Sequence, residues 1–322
     1  MKAAVYERYG PPEVIRIAEA EKPVPTDTEV LLRVRAASVN PADWHFMRGT
    51  PYFLRMMTGM RRPKDKRLGA DVAGQVEAIG GKVTQFKPGD EVFGMGRGAF
   101  GEYACASESA LAMKPDNVTF EEAASVPIAA LTALQGLRDK GHIQAGQKVL
   151  INGASGGVGT FAVQIAKSFG ADLTAVCSTR NLDMVKSLGA DHLMDYTQED
   201  FTKSGQRYDL ILDCAGNHSF SACRRVLSPE GIHVAVGGPT SRWMIGALAK
   251  LITELVLSKF RSRKLVMVLA KGSKQDLTVM GELMKAQKVT PVIDRRYKLS
   301  EVAEAIRYLE QGHAKGKVVI SN

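Results

Sequence analysis

The stretch KVLINGASGGVGTFAVQIAK, residues 148–167, decides the fold of this 322-residue chain. A strand-like apolar run ends at Asn152, a glycine-rich turn follows, and a helical pattern begins after it. Small residues in such a turn let the backbone approach a pyrophosphate, whose charge is met by N–H groups at the start of the helix. The stretch therefore predicts a dinucleotide site. The turn keeps the G-x-G-x-x-G spacing with alanine in first place, and it consists of Ala154, Ser155, Gly156, Gly157, Val158 and Gly159.

The alternation of apolar strands and helices extends over residues 121–288. Strand-like runs such as LTAVCS, YDLILDCAG and KLVMVLAKG alternate with helical stretches such as NLDMVKSLGA and SKQDLTVMGELMKAQ. Fully apolar strands separated by helices are typical of a parallel, doubly wound sheet. We therefore predict a cofactor domain over residues 121–288.

Residues 1–120 have a different pattern. Short strand-like runs, among them TEVLLRVRAASV and DVAGQVEAIG, are separated by Gly, Pro and Asp without strand–helix alternation. This pattern predicts an antiparallel, barrel-like domain. The tail at 289–322 reads as a helix followed by a strand, and we assign it to this domain because the parallel sheet already has its strands. The predicted fold class is α/β, with one domain at 1–120 plus 289–322 and a second at 121–288.

Composition limits the partners and the compartment. The net charge is +9, but the basic runs are scattered and lack interleaved aromatic residues, so no nucleic-acid partner is expected. The four cysteines form no CxxC pair, which argues against a disulfide framework and against a cysteine zinc site. The N-terminus MKAAVYERYG lacks the apolar run of a signal peptide, and we expect a cytoplasmic protein.

An apolar run at 243–264 is interrupted by Lys250 and Glu254 and is short for a membrane span. No transmembrane segment is therefore expected, and a half-buried helix is the expected structure. The basic KFRSRK that ends the run keeps a membrane-surface or lid role open as the alternative.

The residues after the second strand of the parallel sheet indicate which dinucleotide binds. NAD sites usually carry an Asp or Glu there, which binds the ribose 2′-hydroxyl. Here the strand LTAVC is followed by Ser178, Thr179 and Arg180, with no acid. Hydroxyls and a guanidinium would bind a 2′-phosphate through charge-assisted hydrogen bonds, so we predict NADPH rather than NADH. In the alternative interpretation, these three residues only begin the next helix.

Motifs spread over nearly the whole chain resemble one family. They are AASVNPADWHFMRG, LGADVAGQVEAIG, FKPGDEVFG, FGEYACAS, LTALQGL, NGASGGVG, YDLILDCAG and GKVVI. Together they resemble the medium-chain dehydrogenase/reductase superfamily, and more narrowly its zinc-free, quinone oxidoreductase-like branch. The resemblance implies a GroES-like β-barrel catalytic domain, a Rossmann domain that binds NADPH, and a homodimer.

The superfamily also contains zinc alcohol dehydrogenases, whose ligand positions can be compared with this sequence. By that resemblance, Asn40 replaces a ligand Cys, Ala70 and Asp71 replace His-Glu, and Ile128 lies near a third ligand, usually Cys. A catalytic zinc ion needs three protein ligands, and Asn, Ala and Ile do not supply them. The loop of closely spaced cysteines that holds structural zinc is also missing. We therefore expect no catalytic and no structural zinc.

The resemblance places three catalytic candidates in the first domain. Asn40 would face the nicotinamide and bind cofactor or substrate, or it is only a turn residue before a proline. His45 could donate a proton, or it has a packing role. Tyr52 lies near the position of a Tyr that lines the substrate cleft of related quinone reductases. Asp43 is expected to cap the helix that begins PADWHF.

Further cofactor contacts are implied by the resemblance. Their alternatives are ordinary helix, strand-end and surface roles. The candidates are Thr132 near the nicotinamide, Tyr196 by the adenine or 2′-phosphate, Gly216 and Gly238 at strand ends, and Lys317 in the tail.

These features predict a zinc-independent, NADPH-dependent oxidoreductase. Without a Lewis acid, the favoured acceptors are already electrophilic, namely quinones or the conjugated C=C bond of an enone or alkenal. One alternative is a 2-alkenal or enone double-bond reductase with little quinone activity. A second alternative is a non-catalytic NADPH-binding interaction protein, because an intact phosphate loop serves both classes.

Overall fold

The computed structural model describes residues 1–236 and 264–321, and the structural statements below concern these residues. The chain divides into two compact units, Met1–Ala129 with Lys271–Asn322, and Ala130–Ala270. Gly238 and nearly all of the apolar run 243–264 lie outside the described residues. No helix in the described part of the chain is long and apolar enough to cross a membrane.

The first unit is built mainly from β-strands. Its strands are β1 (Lys2–Val5), β2 (Arg16–Glu19), β3 (Glu29–Val39), β4 (Asp71–Ile79), β5 (Glu91–Met95), β6 (Tyr103–Ser107), β7 (Leu111–Met113), β14 (Ile293–Lys298) and β15 (Lys317–Ser321). Its helices are α1 (Pro41–Arg48), α2 (Leu54–Thr58), α3 (Phe120–Ala124), α8 (Lys274–Lys285) and α9 (Val302–Glu310). A further helix, α4 (Pro127–Gln135), contains the point in the chain where the units divide.

Strand β3 lies inside the main sheet of the first unit, whose order is β14-β15-β3-β4-β5-β7, with β6 also paired to β3. Antiparallel pairing with β4 sets Ser38 opposite Asp71, and antiparallel pairing with β15 sets Val39 opposite Val318. The tail therefore joins the first unit through β15. Asn40 follows β3 directly, so the pairing brings it beside the starts of β4 and β15.

Apolar packing holds these strand ends together. Leu32, Val72, Ile306 and Val318 are buried in one cluster that draws on β3, β4, α9 and β15. Burying a side chain of this size stabilises the fold by about 1.5–3 kcal/mol. The polar strand ends are thus anchored by a core on which several elements depend.

Helix α8 lies in the first unit, whereas the sequence pattern assigned it to the cofactor domain. Its buried residues include Leu277, Met280 and Met284, and a Cβ at Gly281 would lie 3.6 Å from Pro115 Cγ, next to β7. The compact units therefore divide at 129/130 and 270/271, rather than at the predicted 120/121 and 288/289. An amphipathic pattern specifies that a helix has a buried face, but it does not specify the sheet that covers this face.

The second unit is a parallel sheet with helices. Its strands are β8 (Lys148–Asn152), β9 (Asp172–Cys177), β10 (His192–Asp195), β11 (Tyr208–Asp213), β12 (Leu227–Val236) and β13 (Lys264–Val268), and its other helices are α5 (Gly157–Ser168), α6 (Leu182–Ser187) and α7 (Phe220–Arg225). The order is β10-β9-β8-β11-β12-β13, and every pairing is parallel. The predicted doubly wound sheet is confirmed.

The chain reverses its direction of travel across this sheet at β8, which lies between β9 and β11. Open α/β sheets bind ligands outside the carboxyl ends of their strands at such a point. Asn152 and Asp213 end β8 and β11 side by side. The glycine-rich turn therefore begins where this fold class binds its ligands.

Candidate functional site

The glycine-rich turn has the geometry that a dinucleotide site needs. Gly153 adopts φ +81°, and the N–H groups of Gly153 and Ala154 donate to the Val176 carbonyl at 3.1 and 3.0 Å. A Cβ at Gly159 would lie 2.1 Å from the Gly153 carbonyl oxygen, so glycine is required for α5 to approach the turn this closely. Gly159, in the third glycine position of the motif spacing, thus has a packing role.

Gly156 differs from Gly159. A Cβ at Gly156 would have no described neighbour closer than 3.5 Å, and its extended backbone (φ −83°, ψ 178°) suits other residues as well. Packing within the unit therefore does not require glycine here. The open space adjoins the first N–H groups of the 12-residue helix α5, where a pyrophosphate would be stabilised. The residues of the turn fit a bound dinucleotide.

Asn181, which the sequence analysis did not single out, ties this turn to the end of β9. It is buried, and its Nδ2 donates to Ser155 Oγ at 3.0 Å and to Ser178 Oγ at 3.1 Å. Its Oδ1 is also buried and has no hydrogen-bond partner among the described residues. A ligand hydroxyl would satisfy such an acceptor, which otherwise carries a desolvation cost of about 1–3 kcal/mol.

A carboxylate also adjoins the predicted 2′-phosphate residues. Asp195 ends β10, beside β9, and accepts hydrogen bonds from the Thr179 hydroxyl and from the N–H and hydroxyl of Thr197. The hydrogen bond from Thr179 is the main cause that lowers the pKa of Asp195. The Thr179 proton is therefore committed to Asp195, whereas Ser178 keeps its own hydroxyl proton and Arg180 is exposed. Asp195 ends β10, whereas the prediction from sequence concerned only the residues that follow β9, so it did not include this carboxylate.

The remaining cofactor candidates of the second unit occupy different surroundings. Thr132 is buried on α4, and Tyr196 is 55% exposed directly after β10. Gly216 adopts φ +63° and donates its N–H to Asp213 Oδ1 at 2.8 Å. Gly238 lies outside the described residues, so the structure locates three of these four residues. The cofactor contact of each residue stays a prediction.

In the first unit, Asn40 and Lys317 meet in a buried polar network at the strand ends. Lys317 Nζ donates to Asn40 Oδ1 at 2.6 Å and lies 3.5 Å from Asp71 Oδ2. Asn40 Nδ2 donates to Asp71 Oδ2 at 2.8 Å, and Ser38 Oγ donates to the same oxygen at 2.9 Å. The other oxygen of Asp71 accepts the backbone N–H of Ile128 at 3.0 Å. All four side chains of this Asn40 network, namely Ser38, Asn40, Asp71 and Lys317, are at most 3% exposed.

The electrostatics of the network follow from burial. Burial raises the pKa of Asp71 and lowers the pKa of Lys317, while the attraction between the two groups opposes both changes. Asp43, at the start of α1, accepts the Asn40 backbone N–H at 2.7 Å, so it caps this helix as predicted. Burial is the main cause that raises the pKa of Asp43 to about 7, and the Asp71 charge adds to it.

The donor set at this position does not fit a catalytic zinc ion. A zinc site needs converging lone pairs, but the Asp71 carboxylate is surrounded by N–H and O–H donors and by the Lys317 ammonium. Ala70 and Ile128 have no ligand atom in their side chains. The Lys317 ammonium lies 3.5 Å from Asp71 Oδ2, so the chain itself supplies a cation beside this carboxylate.

The two other catalytic candidates lie on and after α1. His45 is half-buried, and its Nδ1 is 2.8 Å from the Thr50 carbonyl, which can only accept, so the ring proton resides on Nδ1. Burial lowers the pKa of His45, and the ring is therefore neutral at pH 7 with Nε2 as an acceptor. Tyr52 is 37% exposed, with the Arg55 guanidinium 4.9 Å from its ring centre. A phenol in this setting can donate a hydrogen bond to a small molecule.

Comparison with known proteins agrees with this geometry. Residues 26–116 match the family described as alcohol dehydrogenase GroES-like domain, and residues 188–320 match the one described as zinc-binding dehydrogenase. The chain is 37% identical over 341 residues to a chloroplastic quinone-oxidoreductase of Triphysaria versicolor, covering 99% of this chain and 98% of the relative. It is 33% identical over 376 residues to a mitochondrial NAD(P)H oxidoreductase of Mus musculus, covering 100% and 89%.

The chain belongs to the medium-chain dehydrogenase/reductase superfamily, in its quinone oxidoreductase-like branch. A solved quinone oxidoreductase from Coxiella burnetii has a TM-score of 0.86 and 29% identity, with 100% of this chain and 99% of that chain covered. Membership in the superfamily makes this protein an oxidoreductase that uses a nicotinamide cofactor, and it confirms the predicted GroES-like and Rossmann folds.

Proposed function

We propose that this protein is a zinc-independent, NADPH-dependent oxidoreductase that transfers hydride to quinones or other conjugated carbonyl acceptors. The observation that carries the proposal is the Asn40 network, because its lone pairs are used by protein donors and by a buried ammonium. A site of this composition has no Lewis acid with which to polarise an alcohol or an isolated carbonyl. Conjugated acceptors do not need one.

The main contribution of the protein to this reaction is to position the cofactor and the acceptor. Bound NADPH supplies a hydride, and a quinone that takes this hydride and one proton becomes a hydroquinone. The acceptor oxygen, which gains negative charge, needs a hydrogen-bond donor or a proton from water. We assign the donor role to Tyr52, because its phenol carries an O–H donor and its side chain is 37% exposed.

Asn40 and His45 receive other roles. The Asn40 amide already has partners in its own unit, so we propose that it holds Lys317 and Asp71 in place as a positioning residue. His45 is neutral with Nδ1–H bound to the Thr50 carbonyl, which leaves Nε2 to accept rather than donate a proton. Its role as a direct donor is therefore the weakest of the three.

The choice of NADPH is supported by Arg180 and Ser178. Arg180 is exposed at the end of β9, and the Ser178 hydroxyl proton is free of the bond that Thr179 makes to Asp195. A guanidinium beside the Ser178 hydroxyl is suited to a 2′-phosphate. The names of the relatives, a quinone-oxidoreductase and an NAD(P)H oxidoreductase, agree with the proposal. Cytoplasmic location and a homodimer remain predictions.

The test is a panel of quinones and 2-enals, with NADPH and NADH oxidation measured side by side. We expect quinones to react fastest, with NADPH preferred. Turnover with 2-enals alone would favour the double-bond reductase, and tight NADPH binding without any turnover would favour the interaction protein. Tyr52→Phe should lower kcat by about 100-fold or more while KM for NADPH stays constant, as expected for loss of a general acid.

A further inference from the structure

A second buried polar cluster lies in the cofactor unit. Asp213 ends β11, Cys223 lies on α7, and His233 lies on β12, and all three are at most 3% exposed. One potential ligand atom from each lies within 4.8 Å of the other two. The side chains around them are apolar and include Phe220 and Ile211. We refer to the three residues as the 213–223–233 cluster.

His233 lies beside the Asp213 carboxylate, but its buried ring nitrogens form no hydrogen bond within the described part of the chain. Nε2 lies 3.4 Å from Asp213 Oδ2, and the ring stacks on Phe220 with 5.8 Å between ring centres. A buried polar group left unpaired carries a desolvation cost that a ligand would remove.

Asp213 is oriented so that one oxygen is available to His233. Its Oδ1 accepts Asn152 Nδ2 and the Gly216 N–H, both at 2.8 Å. These bonds fix the carboxylate and leave Oδ2 toward His233. Hydrogen bonds that orient a ligating carboxylate are a regular feature of protein metal sites.

We propose that the 213–223–233 cluster binds one Zn²⁺ ion through Asp213 Oδ2, Cys223 Sγ and a ring nitrogen of His233. Zinc accepts mixed oxygen, nitrogen and sulfur ligands in tetrahedral geometry. Zn–N and Zn–O bonds of about 2.0–2.1 Å place those two ligand atoms about 3.4 Å apart, which agrees with the separation in this structure. On binding, the thiol proton of Cys223 leaves to solvent, and water completes the coordination.

The site would link two strands and a helix, and the proposal does not rest on the proposed function. A Zn–S bond of about 2.3 Å places the sulfur about 3.6 Å from the other ligand atoms of a tetrahedral site. Because Cys223 Sγ lies within 4.8 Å of them, it has to approach by no more than about 1.2 Å. The expectation of no metal rested on the zinc positions of the superfamily and on the lack of closely spaced cysteines. Ligands ten residues apart on three different elements form no motif.

The proposal is tested on the full chain, prepared without a histidine tag and stripped with a chelator. Co²⁺ is titrated as a spectroscopic probe and then displaced by Zn²⁺. We expect one equivalent of Co²⁺ with a thiolate charge-transfer band and tetrahedral d–d bands. Cys223→Ser should remove the charge-transfer band, and His233→Phe should weaken Zn²⁺ binding by roughly 100-fold or more. His233→Phe keeps the ring against Phe220, and Cys177→Ser, which changes another buried cysteine of the same unit, should behave as wild type.

Three results would overturn the proposal. The first is wild-type protein that binds no Co²⁺ or binds it without a thiolate band, and this result does not depend on any variant. The second is equal affinity in His233→Phe and wild type, which would mean adventitious surface binding. The third is loss of the band in Cys177→Ser but not in Cys223→Ser. NADPH binding by each variant reports whether its cofactor unit is folded, so failure here is separable from failure of the proposed function.

Discussion

The two units each bury a carboxylate beside a basic group, but they satisfy it differently. In the first unit, Asp71 receives four donors, among them the ammonium of Lys317. In the second unit, Asp213 Oδ2 lies 3.4 Å from His233 Nε2, and neither ring nitrogen of His233 forms a hydrogen bond in the described ranges. The comparison teaches that a buried acid by itself does not indicate a metal. The state of its neighbours decides whether a cation from outside is needed.

The largest expected effect comes from removing the internal cation. Lys317→Met leaves Asp71 buried without its charge partner and should lower the free energy of unfolding by about 3–5 kcal/mol in urea denaturation. Lys288→Met, at an exposed lysine of the same unit, should change it by less than about 0.5 kcal/mol. Adding Asp71→Asn to Lys317→Met should recover part of the loss. A loss below about 1 kcal/mol in Lys317→Met would show that Asp71 does not depend on Lys317 as its charge partner.

The pH dependence of stability tests a further buried carboxyl of the first unit, that of Asp43. Because the pKa of Asp43 is raised to about 7 in the folded state and is about 3.9 unfolded, the folded state binds more protons between these values. Asp43 therefore contributes stability at low pH that is lost as the pH rises through 7, by on the order of 2–4 kcal/mol. Asp43→Asn should remove this decline in unfolding curves recorded from pH 4.5 to 8. Parallel curves for wild type and variant would contradict the assignment.

Cofactor choice gives the next effect. Arg180→Ala should weaken NADPH by roughly 10- to 150-fold, the value of one charged hydrogen bond, and should change NADH binding little. Fluorescence titration with both cofactors measures this difference. Lys186→Ala, which removes an exposed lysine of α6, serves as the control. Equal losses for the two cofactors would end the 2′-phosphate assignment.

The two glycines of the turn should separate stability from binding. Gly159→Ala places a Cβ against the Gly153 carbonyl and should cost about 1–3 kcal/mol of stability. Gly156→Ala should leave thermal unfolding nearly unchanged but weaken NADPH at least about tenfold, because its Cβ enters the space beside the start of α5. If both variants lose stability alike, the space beside Gly156 is not kept for a ligand.

Local patterns were sufficient for much of the fold. The 148–167 stretch specifies strand, turn and helix within twenty residues, and β15 pairs with β3 in the first unit. The sequence pattern assigned α8 to the cofactor domain, because an apolar helix face does not indicate which sheet covers it. The polar clusters could not be predicted from local sequence patterns. Asp195 lies beside the end of β9 because β10 pairs with β9, and Asn181 contacts Ser155 across 26 residues of sequence. Residues 213, 223 and 233 meet only once three elements have packed.

The central claim is that Lys317, and not zinc, supplies the cation at the strand ends of the first unit while the protein reduces conjugated acceptors. The most direct measurement is the steady-state rate of NADPH oxidation with a quinone, made with the chelator-stripped His233→Phe variant and with its metal content determined. This variant lacks a ligand of the 213–223–233 cluster and leaves the Asn40 network intact. The account predicts turnover near the wild-type rate with no bound zinc and no increase on adding Zn²⁺. Inactive stripped protein that recovers its rate with stoichiometric Zn²⁺ would contradict it.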